Sequence, residues 1–225
     1  MRTAKYDSKW VEENKMGPNP LWLLEELCRH MKWEAGMKVL DMGCGKAITS
    51  IFLAKEFGVQ VWANDLWINP TDNLNRIIEA SVDNLVYPIR AEAHALPYAE
   101  GFFDAVVSID AYHYFGTDET HLFQHYYKLV KKGGQLGIVV PGLVKEFEDG
   151  LPNKMKPYWE TDMYAFHSVE WWKNLWEKTD LVKVQLAKNI EESRELWVKS
   201  NCDNELLMAD EEEILTFVMM LAKRK

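Results

Sequence analysis

This 225-residue chain predicts an α/β fold built on a doubly wound, mostly parallel sheet, and three features carry the prediction. Short β-rich runs alternate with amphipathic helical runs between residues 20 and 142, an order that covers both faces of a parallel sheet with helices. Gly43 and Gly45 join the first apolar strand to the helix after it, and the second strand leads into an acidic residue, Asp65. The third strand contains Pro88, which lacks the N–H that a central ladder needs and so belongs at an edge.

The elements follow in order. Asn19-Pro20 starts a helix whose apolar positions are Leu23, Leu24, Leu27 and Met31. A break at Gly36 leads to strand one over 37–42, apolar enough to be central and covered on both faces. The helix of residues 48–57 stops at Gly58. Strand two spans 59–64, and a helix of residues 74–85 follows a loop at Asn69-Pro70. Strand three is 86–90, strand four 104–109, and a helix runs from Asp118 to Val130. Lys132-Gly133-Gly134 turns into strand five, 135–140, which Pro141-Gly142 closes. Residues 143–167 are irregular and rich in Pro, Gly and aromatics. A Trp-rich helix at about 168–178, a sixth strand at 181–187, a helix near 190–200 and a closing seventh strand complete the chain. Strands six and seven are expected to pair antiparallel on one side of the sheet. The expected architecture is a single Rossmann-like domain over 1–225, with a core of about 20–142 and a lid plus terminal strands over about 143–225.

Composition narrows the function. The hydrophobic fraction of 48% and the charged fraction of 27% are those of an ordinary soluble domain. Charges interrupt every apolar stretch before the ~20 residues that a membrane span needs, so stable membrane insertion is not expected. Three scattered cysteines without CxxC spacing suit a reducing cytoplasm and argue against a disulfide or cysteine zinc framework. A net charge of −9 opposes a nucleic acid partner.

The informative stretch is residues 39–54. A glycine turn between strand and helix lets backbone approach a ligand where a Cβ would clash. Asp65, 20 residues beyond Gly45, stands where a carboxylate takes hydrogen bonds from both hydroxyls of a ribose. The dinucleotide fingerprint needs a third glycine where this chain has Ile48. Asp41, two residues before Gly43, mismatches a pyrophosphate but matches the ammonium of a methionine moiety. These features select a cationic, phosphate-free adenosine ligand, S-adenosylmethionine.

The run Asp41-Met42-Gly43-Cys44-Gly45-Lys46-Ala47 resembles motif I of the class I methyltransferases, with Ala47 in place of the last glycine. Residues 91–115 resemble the corresponding stretch of the ubiquinone/menaquinone-biosynthesis-like and cyclopropane-synthase-like branches, with Ala91 and Glu92 replacing Gly-Asp. Residues 129–142 resemble the turn into strand five, with Lys132 where proline is common. The resemblance covers roughly 20–142. It implies the class I strand order, with strand three at an edge and an antiparallel last strand. It also implies a cofactor site of Asp41, Gly43, Cys44, Gly45, Asp65, Leu66, Glu92, Ala93, His94 and Asp110. In that site Glu92 takes the adenine amino proton, the Ala93 N–H faces a ring nitrogen and His94 forms a wall.

Asp110, Tyr112, His113 and Tyr114 follow strand four, at the carboxyl edge where such sheets bind ligands. His113 is the first candidate for a general base, with Tyr112 and Tyr114 beside it; the alternative is that they only pack and orient. Tyr158, Trp159, Tyr164 and His167 are the candidate acceptor-binding residues of the lid, while Trp172 and Trp176, four apart, read as core. Tyr6, Trp10 and Met16-Gly17-Pro18 are expected to close over the cofactor. His121 and His125 read as surface histidines, so no metal is expected. The resulting expectation is methyl transfer to a small molecule by a monomer or homodimer. The competing classes are a non-catalytic adenosine-ligand module and a nicotinamide-dependent oxidoreductase.

Overall fold

Strand β1 (Lys38–Met42) runs between β2 (Gln60–Asp65) and β4 (Phe103–Ile109), parallel to both. The computed structural model describes residues 1–225. With β3 (Val86–Arg90), β5 (Val130–Leu143), β6 (Val182–Asn189) and β7 (Leu215–Arg224), these form one seven-stranded sheet in the order β3-β2-β1-β4-β5-β7-β6. The chain steps outward from β1 to β3 and then returns to place β4 on the other side of β1. A crevice opens at that reversal, outside the carboxyl ends of β1 and β4.

Pro88 sits on the edge strand, opposite Ala63 of β2, as its missing N–H requires. The antiparallel expectation for the terminal strands holds, but β7 inserts between β5 and β6 and pairs antiparallel with both. Its run from Leu215 to Ala222 is buried throughout, which suits an interior strand. Strand five is longer than its sequence suggests. Pro141 and Gly142 continue it to Leu143, because β4 ends at Ile109 opposite Val139 and the edge beside Pro141 no longer needs an N–H. Lys132-Gly133-Gly134 forms an irregularity inside β5 rather than a turn before it, with Gly133 at φ 75°.

Helices cover both faces. Helix α1 is Ser8–Asn14 and α2 is Pro20–Cys28, with the Asn19 side chain accepting the Leu21 N–H at its start. Helix α3 is Ile48–Phe57 and α4 is Pro70–Glu79. The helix expected over 118–130 is a π-helical turn, Leu122–Tyr126, followed by the short α5, Tyr127–Leu129. Helices α6 (Val169–Glu177), α7 (Ser193–Lys199) and α8 (Asn204–Ala209) follow. One face of the sheet packs Leu24, Leu27, Ile51 and Phe52 of α2 and α3 against Val39, Val61 and Val139. The other packs Tyr112, Tyr126, Trp172 and Trp176 against Leu40, Val106, Ile138 and Val218.

His121 departs from expectation. It is fully buried, with its ring 4.9 Å from that of His94 and 5.5 Å from that of His125, and neither of its nitrogens has a hydrogen-bond partner. The π-helical turn and the edge packing of the 91–98 segment draw it inward, an arrangement that helical periodicity alone does not reveal. Trp176 is also fully buried, so Trp176→Ala should cost about 3–5 kcal/mol. Equilibrium urea denaturation would measure that loss.

Candidate active site

The floor of the crevice is backbone. After β1 the chain turns through Gly43 at φ 75° and Gly45 at φ 53°. The Gly43 and Cys44 N–H groups donate to the Asn64 carbonyl at 2.9 and 3.0 Å, and the Gly45 N–H donates to Asp65 Oδ2 at 2.8 Å. An ideal Cβ on Gly43 would lie 2.3 Å from the Ala111 Cβ, so only glycine lets the loops after β1 and β4 meet. Ala47 keeps the turn, but at φ 62°, where a side chain costs about 1–2 kcal/mol of local strain.

Asp41 corrects an expectation. Its carboxylate is fully buried below the turn, where one oxygen accepts the Thr49 and Ser50 hydroxyls, each at 2.6 Å. It does not line the crevice. It pins β1 to the first turn of α3, because its side chain leaves the strand toward that helix. Burial pushes its pKa up to about 6 against the pull of those two hydroxyls, and its second oxygen has no partner.

Asp65 stands at the end of β2, as expected. Its Oδ1 accepts the Trp67 and Ile68 N–H groups at 2.8 and 3.0 Å, so with Gly45 it ties two loops to one carboxylate. Gly43, Cys44, Gly45, Leu66, Glu92, Ala93 and His94 line the same crevice. Glu92 is turned onto its neighbour: Oε2 accepts the His94 N–H at 2.8 Å and Oε1 contacts His94 Nδ1 at 2.7 Å.

The residues after β4 divide. Asp110 and Tyr114 line the crevice, whereas Tyr112 and His113 do not. Tyr112 is fully buried beside Trp172 and Trp176, a core residue and not a catalytic one. His113 is buried against Tyr114 and Phe166, which lowers its pKa to about 4 and leaves a neutral, weakly basic imidazole. The short 3-10 turn Tyr112–Tyr114 sends Tyr112 and His113 into buried packing and Tyr114 to the crevice, a division invisible in the sequence.

The expected lid contacts also shift. None of Tyr158, Trp159, Tyr164 and His167 lines the crevice. Trp159 packs between Phe147 and Phe166. His167 stacks on Trp171 at 3.7 Å, with Nδ1 3.2 Å from Glu146 Oε2. Tyr158 and Tyr164 are exposed. The lid reaches the site through Asp162, whose Oδ2 accepts the Tyr114 hydroxyl at 3.1 Å. Met16, Gly17 and Pro18 do line the crevice, but Tyr6 and Trp10 do not: Tyr6 bonds Glu56 Oε1 at 2.9 Å and anchors the N-terminal segment. Trp67, Phe115 and Asn64 are lining residues that the motif reading missed. Trp67 was findable, since it directly follows Asp65-Leu66.

Two buried imidazoles give this fold an acid-sensitive core. Burial depresses the pKa of His113 to about 4, and burial with the neighbouring His94 and His125 depresses that of His121 to about 3. Their neutral forms contribute stability that is complete above pH 6.5 and is lost as pH falls toward those values. The midpoint of thermal unfolding should therefore drop between pH 6.5 and 4, and less steeply in His121→Phe.

The crevice encloses about 350 Å³, enough for a nucleoside-sized ligand. A sheet that reverses between β1 and β4, a glycine turn at that reversal, a carboxylate closing β2 and an antiparallel β7 between β5 and β6 define the class I methyltransferase fold. Residues 39–134 match the family described as a methyltransferase domain. The chain therefore has the fold of the class I S-adenosylmethionine-dependent methyltransferases, with a stretch that matches their methyltransferase domain. It is similar to the 27-O-demethylrifamycin SV methyltransferase of Amycolatopsis mediterranei (strain S699), 28% identical over 52% of this chain and 43% of that one. It is also similar to phosphoethanolamine N-methyltransferase 1 of Triticum aestivum, 31% identical over 50% of this chain and 22% of that one. Both matches cover less than half of the relative's own length. The solved structure of a geranyl diphosphate methyltransferase in complex with SAM superposes with a TM-score of 0.75 at 17% identity, over 92% of this chain and 86% of that one. No helix is long and apolar enough to cross a membrane.

Proposed function

We propose that the domain transfers the methyl group of S-adenosylmethionine to a small-molecule acceptor by in-line displacement. The observation that carries this reading is the crevice between the ends of β1 and β4, floored by Gly43 and Gly45 and closed on one side by Asp65. The donor chemistry fits the cofactor. When S-adenosylmethionine is bound, Asp65 would be the hydrogen-bond acceptor for the ribose, Leu66 and Ala93 would hold the adenine, and backbone at Gly43 and Gly45 would hold the methionine moiety. The Asp65 carboxylate, which lines the crevice, suits a cationic ligand. Of the lysines that line the crevice, Lys15 is paired with Glu12 and bonded to the Ser200 carbonyl, and Lys46 donates to the Glu13 carbonyl.

When bound, S-adenosylmethionine supplies a methyl group already activated for displacement. The chain's own contribution is position and dryness. Met16, Gly17 and Pro18 close the crevice from the N-terminal side and Phe115 walls it from β4, which removes water that would stabilise the charged ground state. Calorimetry with S-adenosylmethionine and S-adenosylhomocysteine should show one site each. Labelled methyl transfer into a metabolite extract, followed by mass spectrometry, should mark small molecules. No heat of binding for either compound would end this reading.

A further inference from the structure

We propose that the acceptor is a small amine taken up as its ammonium ion, with Asp110 as its counter-ion and proton acceptor and the Trp67–Tyr114 pair as its aromatic wall. This rests on the methyltransferase reading and assigns the acceptor half of the same crevice. Asp110 follows β4 directly and holds φ 55°, a left-handed conformation that a non-glycine residue rarely adopts and that recurs where backbone strain serves a site. Its carboxylate lines the crevice, packs against Gly17 and is held by no hydrogen bond from the chain. The ionisable groups facing it are Asp162 from the lid, Asp203 before α8, Tyr114 and Cys202; none is a cation. Burial first, then the Asp203 and Asp162 charges, push its pKa up to about 8.

A carboxylate so placed lacks one partner, a cation. Trp67 and Tyr114 supply the matching surface. Both line the crevice, with rings 5.1 Å apart at 74° and exposures of 62% and 46%, and such faces attract ammonium groups. The Tyr114 hydroxyl bond to Asp162 fixes its ring. An anionic acceptor would meet the Asp110 carboxylate, and no cation is among the groups that face it. Of the histidines near this edge, His113 is buried outside the crevice and His94, which lines it, is paired with Glu92.

The step balances. Burial and the neighbouring Asp203 and Asp162 charges favour the protonated form of Asp110, and an arriving ammonium displaces that proton to solvent. The ammonium then gives one N–H proton to the Asp110 carboxylate. The freed lone pair forms the new N–CH3 bond as the donor's C–S bond breaks, leaving a methylated ammonium, a neutral thioether and a protonated Asp110.

The test is calorimetry on the full chain saturated with S-adenosylhomocysteine, using benzylamine and butylamine against benzyl alcohol and benzoate. Running each at pH 7 in two buffers of different ionisation enthalpy counts the protons released. The amines should bind more tightly than the alcohol and the carboxylate, releasing up to about one proton each. In Asp110→Asn, amine affinity should fall about tenfold or more and the proton release should vanish. Trp67→Leu, far from the core, should weaken amine binding roughly fivefold and spare benzyl alcohol. Equal binding of benzyl alcohol, absence of amine binding, or unchanged amine affinity in Asp110→Asn would overturn the proposal. So would loss of S-adenosylhomocysteine affinity in a folded Asp110→Asn, which would make Asp110 the cofactor's partner. Failure of the parent chain to bind S-adenosylhomocysteine would instead remove the methyltransferase reading itself.

Discussion

Asp65→Ala is expected to weaken S-adenosylmethionine binding by about a hundredfold or more, since each hydrogen bond to a charged group contributes ~1.5–3 kcal/mol. The effect has two sources. The carboxylate is the ribose acceptor in the proposed complex, and without a ligand it already binds the N–H groups of Gly45, Trp67 and Ile68. Removing it therefore loosens both the glycine turn and the segment that flanks the adenine. Asp65→Asn separates the two sources. One amide oxygen retains part of the loop anchorage, while the charge and the second acceptor are gone, so Asn should fall between the parent and Ala. Isothermal calorimetry on the three proteins gives the ranking. Unchanged affinity in Asp65→Ala would place the nucleoside elsewhere.

Gly43→Ala should be strongly destabilising. The new Cβ would sit 2.3 Å from that of Ala111 and on a backbone at φ 75°. The left-handed conformation costs ~1–2 kcal/mol and the overpacking ~1–3 kcal/mol. For a domain of this size those terms together lower the unfolding midpoint by roughly 5–15 °C. The loops after β1 and β4 must also part, which spoils the crevice floor, so cofactor affinity falls with stability. A double variant, Gly43→Ala with Ala111→Gly, removes the steric conflict and keeps the backbone strain. It should recover part of the midpoint and most of the affinity, as differential scanning calorimetry and titration would show.

Sequence alone carried the local half of this protein. Glycines at 43 and 45, the acidic end of β2 and the proline in β3 each satisfy a constraint that neighbours in the chain impose, so the turn, the carboxylate that closes β2 and the sheet edge were legible. The segment Met16-Gly17-Pro18 was legible for a related reason, since it immediately precedes the α2 start signal at Asn19-Pro20.

What tertiary structure decided is the destination of side chains that share one short segment. Asp41, Tyr112 and His113 have the residue types of a site, yet packing against α3 and α6 and beneath the lid buries all three. Asp110, two residues before Tyr112, and Tyr114, one residue after His113, face the crevice. In a 3-10 turn a single residue step rotates a side chain by about a third of a turn, so one-dimensional spacing cannot distinguish core from cleft. The same holds for His121, which a π-helical turn carries inward, and for Asp162, whose position beside Tyr114 depends on how residues 143–167 fold back. Contacts between residues close in sequence follow from local backbone rules. Contacts across tens of residues depend on how the layers pack, and in this protein those long-range contacts set which side chains after β4 face the crevice.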